Sequence, residues 1–353
     1  MVDLDNTIKK VYIGLFHFTE SFGLDVELSL NRLTPMLSQD GIQYEFIANH
    51  IPIKEISINS PLQYDIIIDR GSCFFPYTLD IAVRMAFQGT YFINNPLSFQ
   101  FFLENKYAGY GMVHDLGIAV PNTYILPEKT KPNFLSESHL VYHEFFNWKD
   151  IEEKIGFPCI FKPVNGKGGQ KVSKVNSLQE LISLYDHSND NTMIVQRYIS
   201  SPYPWQVRCL CIGKTIIPIK YIFHSHDESE YICDHDFLNS AQYKKIIDMA
   251  KVINRIFGYE MNSVEFIIDH NGEPWAIDFN NPIPDARRSV LSDYYYTKYK
   301  NALVQRIQEI VYKKEKSDFL PNLNRYAQLA QQTISLNEKF QKALELANEY
   351  YEQ

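Results

Sequence analysis

Positive charge is in short supply in this 353-residue chain. It carries 34 Lys and Arg against 42 Asp and Glu, a formal net charge of −8, which argues against a general binder of nucleic acid or anionic membrane and leaves room only for a local basic cleft. Long apolar runs are missing too. The start MVDLDNTIKK is acidic before any apolar run, and VYIGLF is too short for a signal or membrane segment, so the expected location is cytoplasmic, with no membrane and no nucleic acid as partner. Five cysteines (Cys73, Cys159, Cys209, Cys211 and Cys233) are odd in number and lie mostly in apolar runs, which reads as reduced thiols rather than a disulfide framework. The loop holding His224, His226 and His235 has a spacing that could hold zinc but matches no established ligand pattern; a loop over a cleft is the preferred reading. No fixed-period repeat occurs. Both common nucleotide-loop patterns fail: no Ser or Thr follows a lysine as G-x-x-x-x-G-K-[ST] requires, and G-x-G-x-x-G lacks its third glycine.

What is present begins as alternating strand and helix. Apolar runs at 11–16, 44–48, 64–69 and 90–94, with a helix through Leu28, Leu30, Leu33 and Leu37, predict a parallel α/β unit. Ligands in such units lie beyond the carboxyl ends of strands. That places His17, Thr19, Glu20, Asp69 and Arg70 near a cleft, with solvated loop residues as the plain alternative. A helix is expected from about Ser98 to Leu116, with Lys106 at its middle and a stop at Gly117. Ser177 and Glu180 form a capping box, and Ser240 is expected to cap a helix ended by Gly258. Beyond Pro321, one amphipathic helix is expected from about Leu323 to Tyr350.

Two stretches carry chemistry. In GFPCIFKPVNGKGGQKV, residues 156–172, a strand ending in Lys162 and Pro163 runs into Gly166, Lys167, Gly168 and Gly169, and a returning strand follows. Glycines let backbone N–H groups curl around phosphate oxygens, and a lysine at a strand end adds fixed charge. An ordinary basic hairpin is the alternative. In NSVEFIIDHNGEPWAIDFNNPIPDAR, residues 262–287, Asn271 and Gly272 signal a two-residue hairpin turn. Counting outward from His270 opposite Glu273 sets Glu265 opposite Asp278, with Asn280 on the same face. Two carboxylates so placed repel unless a cation lies between them, and with an amide oxygen they suit a magnesium ion carrying a nucleotide. A register slip that turns one acid to solvent is the alternative. On the strand WQVRCLC, Val207, Cys209 and Cys211 share one face and Arg208 the other, where a buried arginine needs an anion; Lys220 on the paired strand is a weaker candidate.

Taken in order, these pieces resemble the ATP-grasp superfamily of carboxylate-amine ligases, which includes D-alanine:D-alanine ligase and glutathione synthetase. The resemblance covers about residues 61–290. It runs through Asn105-Lys106 before GIAVPNTY, GFPCIFKPVNGKGG, IVQRYI, the Arg208 strand, and VEFII with IDFNNP. It implies an N-terminal parallel α/β domain, then a two-part ATP-grasp domain holding ATP between two antiparallel sheets. The implied divisions are 1–104, a lid subdomain 105–199, a core subdomain 200–316, and a C-terminal helix 317–353. Lys106 and Lys162 would bind ATP phosphates, with Lys220 nearby. Gly166, Lys167, Gly168 and Gly169 would form the lid. Gln196, Arg197, Tyr198 and Ile199 would form the hinge beside adenine, largely through backbone groups. Arg208 would meet phosphate, and Glu265, Asp278 and Asn280 would hold Mg2+; by position alone, Arg287 is a candidate for a substrate carboxylate, with help from Arg70. Three departures stand out: many relatives have an acid at Gln196, often an Asp at Gln206, and usually a Glu where this chain has Asp278. The implied reaction joins small-molecule or peptide carboxylates to amines through an acyl phosphate. The alternatives are a kinase acting on a small-molecule hydroxyl or a non-catalytic ATP-binding regulator, and a homodimer is left open.

Overall fold

Three sheets organise the chain in the computed structural model, which describes residues 8–17, 21–37, 41–60, 64–97, 105–129, 147–165, 172–223, 230–316 and 323–352. The first is built from near-continuous apolar strands, as parallel strands buried on both faces require. β1 (Ile8–Phe16), β3 (Gln43–His50), β4 (Ile66–Asp69) and β5 (Tyr91–Ile93) pair in parallel, and the short β2 (Met36–Leu37) adds antiparallel at one edge, in the order β2-β3-β1-β4-β5. Helices α1 (Ser21–Asn31) and α2 (Pro76–Phe87) connect them.

The second sheet, in the order β6-β9-β7-β8, is antiparallel throughout. It comprises β6 (Thr123–Leu126), β7 (Cys159–Pro163), β8 (Ser173–Val175) and β9 (Met193–Arg197). Cys159, Phe161, Val175 and Val195 turn one face of it onto α4 (Trp148–Ile155) and α5 (Leu178–Asp186), through Ile151, Ile155, Leu181 and Tyr185. Ser177 caps α5 as expected, accepting the Glu180 N–H at 3.2 Å.

The third sheet, β12-β11-β10-β13-β14, is also antiparallel. Its strands are β10 (Gln206–Ile212), β11 (Thr215–Ile222), β12 (Glu230–Ile232), β13 (Met261–Ile268) and β14 (Pro274–Asn281). One face, with Val207, Cys209, Cys211, Val264 and Phe266, packs on α6 (Ser240–Phe257). The other, through Leu210, Ile212, Ile217, Ile219 and Met261, packs on α7 (Arg288–Lys313), whose tyrosines also meet the first sheet and α1; Phe22 stacks on Tyr299 at 5.3 Å. All five cysteines are free thiols, and only Cys233 is exposed.

Several local expectations need correcting. The cap of α6 is Asn239, which accepts the Gln242 N–H while Gln242 reaches back to the cap backbone; Ser240 is the first helical residue. Lys106 opens α3 (Lys106–Asp115) instead of sitting at mid-helix, and residues 98–104 lie outside the described ones. The terminal segment is two helices, α8 (Leu323–Ala330) and α9 (Leu336–Tyr351), the second freshly capped by Ser335. Both pack on the α6 side of the third sheet. Gly117 has φ +82°, and a Cβ there would lie 2.0 Å from the Leu336 carbonyl oxygen, so the stop after α3 is also the seat of α9.

The β13–β14 hairpin reaches the expected pairing by another route. Its ladder starts at Ile268 opposite Pro274, outside a turn in which Gly272 donates to the Asp269 carbonyl at 3.0 Å. That register alone would set Glu265 opposite Ile277. A bulge between Phe266 and Glu265 skips Ile277 and restores Glu265 opposite Asp278.

Candidate active site

Between the second and third sheets lies a cavity of about 960 Å3, at the large end for a small-molecule site. Strand alternation decides which side chains reach it. On β7, Cys159 and Phe161 belong to the core of the second sheet, while Ile160 and Lys162 face the cavity. Lys162 is buried. Its Nζ donates to the Tyr110 hydroxyl at 2.9 Å and lies 3.4 Å from the Ile277 carbonyl, to which Tyr110 also donates. Ile277 is the bulged residue, so the same irregularity that sets the carboxylates opposite each other also turns a carbonyl toward the lysine. Burial lowers the Lys162 pKa, against the opposing charges of Asp278 and Glu265.

Lys106, at the first turn of α3, is buried and lines the same cavity. Asp278 balances these cations. Burial would raise its pKa, but Lys106, Lys162 and Arg208 together outweigh that and hold the carboxyl below its usual range. Arg208 is the cross-strand neighbour of Glu265 and forms an ion pair with it. The guanidinium lies 4.0 Å from the centre of the Tyr221 ring and donates to the Tyr231 hydroxyl. Its Nε is buried and has no partner among the described residues. A bound anion would satisfy it. Asn280 is buried on the cavity wall, with its Oδ1 accepting from Tyr259 at 3.2 Å.

Two facing carboxylates and one amide, all oxygen donors beside three cations, suit a hard divalent ion such as Mg2+ that arrives with phosphates. Among the described residues no cluster of three or more His, Cys, Asp or Glu side chains could hold a metal. Glu265, Asp278 and Asn280 therefore make a partial donor set, which phosphate oxygens would complete.

At the other end of the cavity, Gln196, Arg197, Tyr198 and Ile199 all line the wall. The buried Gln196 donates to Thr123 Oγ1 at 2.8 Å. Arg197 sends its guanidinium outward to the Lys154 carbonyl at 3.0 Å, and Lys174 Nζ lies 4.1 Å from the centre of the Tyr198 ring. Gly166, Lys167, Gly168 and Gly169 lie outside the described residues, as do Thr19, Glu20, His224 and His226.

Four candidates are placed elsewhere. Lys220 pairs in register with Val207, not Arg208, which puts it on the opposite face of the sheet, bonded to Asp234 at 3.0 Å. It is not part of the cavity wall. Arg70 is fully buried; it donates to the Pro284 carbonyl at 3.1 Å and holds the loop behind the site. His17 packs edge-on against His50 at 4.9 Å, away from the lining. Asp69 also works from behind. It accepts from the N–H groups of Gly71 and Ser72 at 3.1 and 2.8 Å, shaping the short turn whose Cys73 and Phe74 line the cavity. Arg287 does line the cavity, bonded to Asp285 at 2.7 Å.

Sequence reading missed Tyr110, Tyr221, Tyr231, Phe74, Lys174 and Asp285. Two of these had a signal. Tyr110 stands four residues after Lys106, on one helix face. Tyr221 falls opposite Gln206 once Gly213 and Lys214 are taken as the turn.

A nucleotide-sized cavity clasped between two antiparallel sheets, with a parallel α/β unit in front, defines a class of ATP-binding fold. A family model for the RimK-like ATP-grasp domain matches residues 135–222. A D-alanine–D-alanine ligase of Pseudomonas putida is 25% identical over 139 residues, which is 36% of this chain and 43% of that one. The match thus spans less than half of that relative. The D-alanine–D-alanine ligase of Bacillus anthracis complexed with ATP has the same fold, with a TM-score of 0.56 at 16% identity, covering 87% of this chain and 99% of that one. So does a RimK domain ATP-grasp protein of Sphaerobacter thermophilus, with a TM-score of 0.57 at 16% identity over 84% and 100%. Residues 135–222 are thus similar to an ATP-grasp domain, and the chain has the fold of these ATP-grasp proteins. Among the described residues no helix is long and apolar enough to cross a membrane.

Proposed function

We propose that the protein is an ATP-dependent ligase that joins a carboxylate to an amine through an acyl phosphate, releasing ADP and phosphate, in the cytoplasm. The observation that carries this reading is the meeting of Lys106, Lys162 and Arg208 with Glu265 and Asp278 around one cavity, although five separate elements supply them. Lys106, Lys162 and Arg208 offset the charge of the triphosphate, and Gly166 to Gly169 with Lys167 close over it. The hinge at Gln196 to Ile199 receives the adenine. Glu265, Asp278 and Asn280 would hold Mg2+, which would neutralise phosphate charge. A carboxylate oxygen attacks the γ-phosphorus, the bond to the β–γ bridging oxygen breaks, and ADP leaves. The amine lone pair then forms the C–N bond, the C–O bond to phosphate breaks, and the nitrogen gives up a proton. The chain's part is to fix charge and exclude water. The divisions 1–104, 105–199, 200–316 and 317–353 are proposed as its working parts.

The test is ADP release from purified protein with Mg-ATP and a panel of amino acids, with product mass measured. A product equal to two substrates less one water is expected. A substrate heavier by one phosphate on a hydroxyl would make it a kinase, and ATP binding without turnover a regulator.

A further inference from the structure

The cleft contains one carboxylate that neither the phosphates nor the metal explains. Asp285 lines the cavity in the segment Pro282–Arg287, next to Arg287. Two prolines stiffen that segment, and buried side chains from the first sheet clamp it from behind. Asn94 Nδ2 donates to the Pro282 carbonyl at 3.1 Å, and Arg70 donates to that of Pro284. Ala286 is fully buried in the core, so the residues on either side of it, Asp285 and Arg287, are turned together toward the cavity. Burial would raise the Asp285 carboxyl, but hydrogen bonds from the Arg287 side chain and backbone, and the charges of Arg287 and Arg208, keep it below its usual range. It therefore stands as an anion.

Arg287 offsets that charge, and Asp285 still selects what can approach it. Triphosphate and carboxylate substrates are both negative, and Asp285 repels each of them. The amine, which arrives as an ammonium, is the one substrate of the proposed reaction that a carboxylate attracts. Arg287 offers the complementary cation. Its Nε lies 3.0 and 3.1 Å from the two Asp285 oxygens, and its side chain remains more than half exposed. A partner carrying both charges on one carbon matches a pair spaced so closely.

We infer that Asp285 and Arg287 form the receptor for the amine substrate, and that this substrate is a free α-amino acid, its ammonium on Asp285 and its carboxylate on Arg287. The inference rests on the ligase reading and names the substrate class of its acceptor side. Ammonia, a simple amine or a polyamine would leave Arg287 unused. Asp285 also keeps the nitrogen beside the activated carboxyl until it sheds its proton and attacks.

The experiment uses the full chain with Mg-ATP and the amino-acid panel, each acceptor paired with its own carboxamide. In the wild type, α-amino acids should act and their carboxamides should be at least about tenfold poorer. Asp285→Asn keeps the oxygen that the Arg287 N–H uses. It should raise the acceptor KM by about ten- to a hundredfold, the worth of one charge-assisted hydrogen bond, and leave the dissociation constant for ATP unchanged. Arg287→Gln should abolish the preference for the acid over the carboxamide. Unchanged acceptor KM in Asp285→Asn, or a shift in its ATP affinity instead, overturns the inference alone. Equal use of amino acids and carboxamides by the wild type does so too. Absence of amine-dependent ADP release in the wild type, with ATP still bound, removes the ligase reading and this inference with it.

Discussion

Lys162 shows how one side chain is made useful by where its strand stops. Its ammonium is buried between the Tyr110 phenol and the Ile277 carbonyl, and opposed to Asp278 and Glu265. Taking it out of water costs free energy that those acids and the two oxygens offset, and a triphosphate would gain from a cation already stripped of solvent. Lys162→Met should therefore lower ATP turnover by about a hundredfold, measured as ADP release, with the far-ultraviolet circular dichroism unchanged. At this scale the sequence was informative about identity and poor about direction. Alternation along β10 placed Arg208 correctly against Val207, Cys209 and Cys211. The same rule needed the cross-strand register before it could show that Lys220 faces away.

At the scale of the element, local chemistry was mostly legible. Ser177 before α5 and Gly258 after α6 stand where pattern puts them, because caps depend on a few neighbouring residues. The cap of α6 is off by one residue. Asn239 and Ser240 both suit an N-cap, and Asn239 holds the position because Gln242 completes its capping box. Asn239→Ala should cost about 1 kcal/mol in urea unfolding and Ser240→Ala only a few tenths. Equal losses would return the cap to Ser240. The bulge at Ile277 had no local signature. It exists because the turn at Asp269 to Glu273 starts one register and the far end of the hairpin keeps another.

On the scale of the whole molecule, the first and third sheets are joined by buried polar groups rather than by apolar packing alone. Asn94 donates to the carbonyls of Met261 and Pro282 and accepts from the N–H groups of Glu260 and Met261, so every bond its amide can make ties β5 to the third sheet and the loop beyond it. Arg306, within α7, pairs with Glu260 at 2.7 Å and Glu315 at 2.6 Å, and donates to Tyr91 in the first sheet. Burial would raise the Glu260 carboxyl, but Arg306 and Tyr91 hold it below its ordinary value of 4.5. A depressed carboxyl lends stability that is fully present above that value and is lost as pH falls through the lower folded one. The melting temperature should thus decline below about pH 4.5. Glu260→Gln should flatten that decline and lower stability at pH 7, because it leaves Arg306 without its closest buried partner.

The amino-acid sequence determined by itself the strand and helix periodicities, the order of the ATP-grasp pieces, and the residue types that could meet a phosphate. Those depend on neighbours within a turn or a strand. Tertiary structure alone decided which of them share a cavity. It placed Lys220 behind the sheet and made Arg70 a clamp on the loop, and it brought Glu265 opposite Asp278 through a bulge instead of a simple count. It also turned Asp285 and Arg287 to the same side. The reason is physical: a side chain's direction follows from which distant strand its own strand pairs with and in what register, and the free energy that sets this comes from burying whole faces.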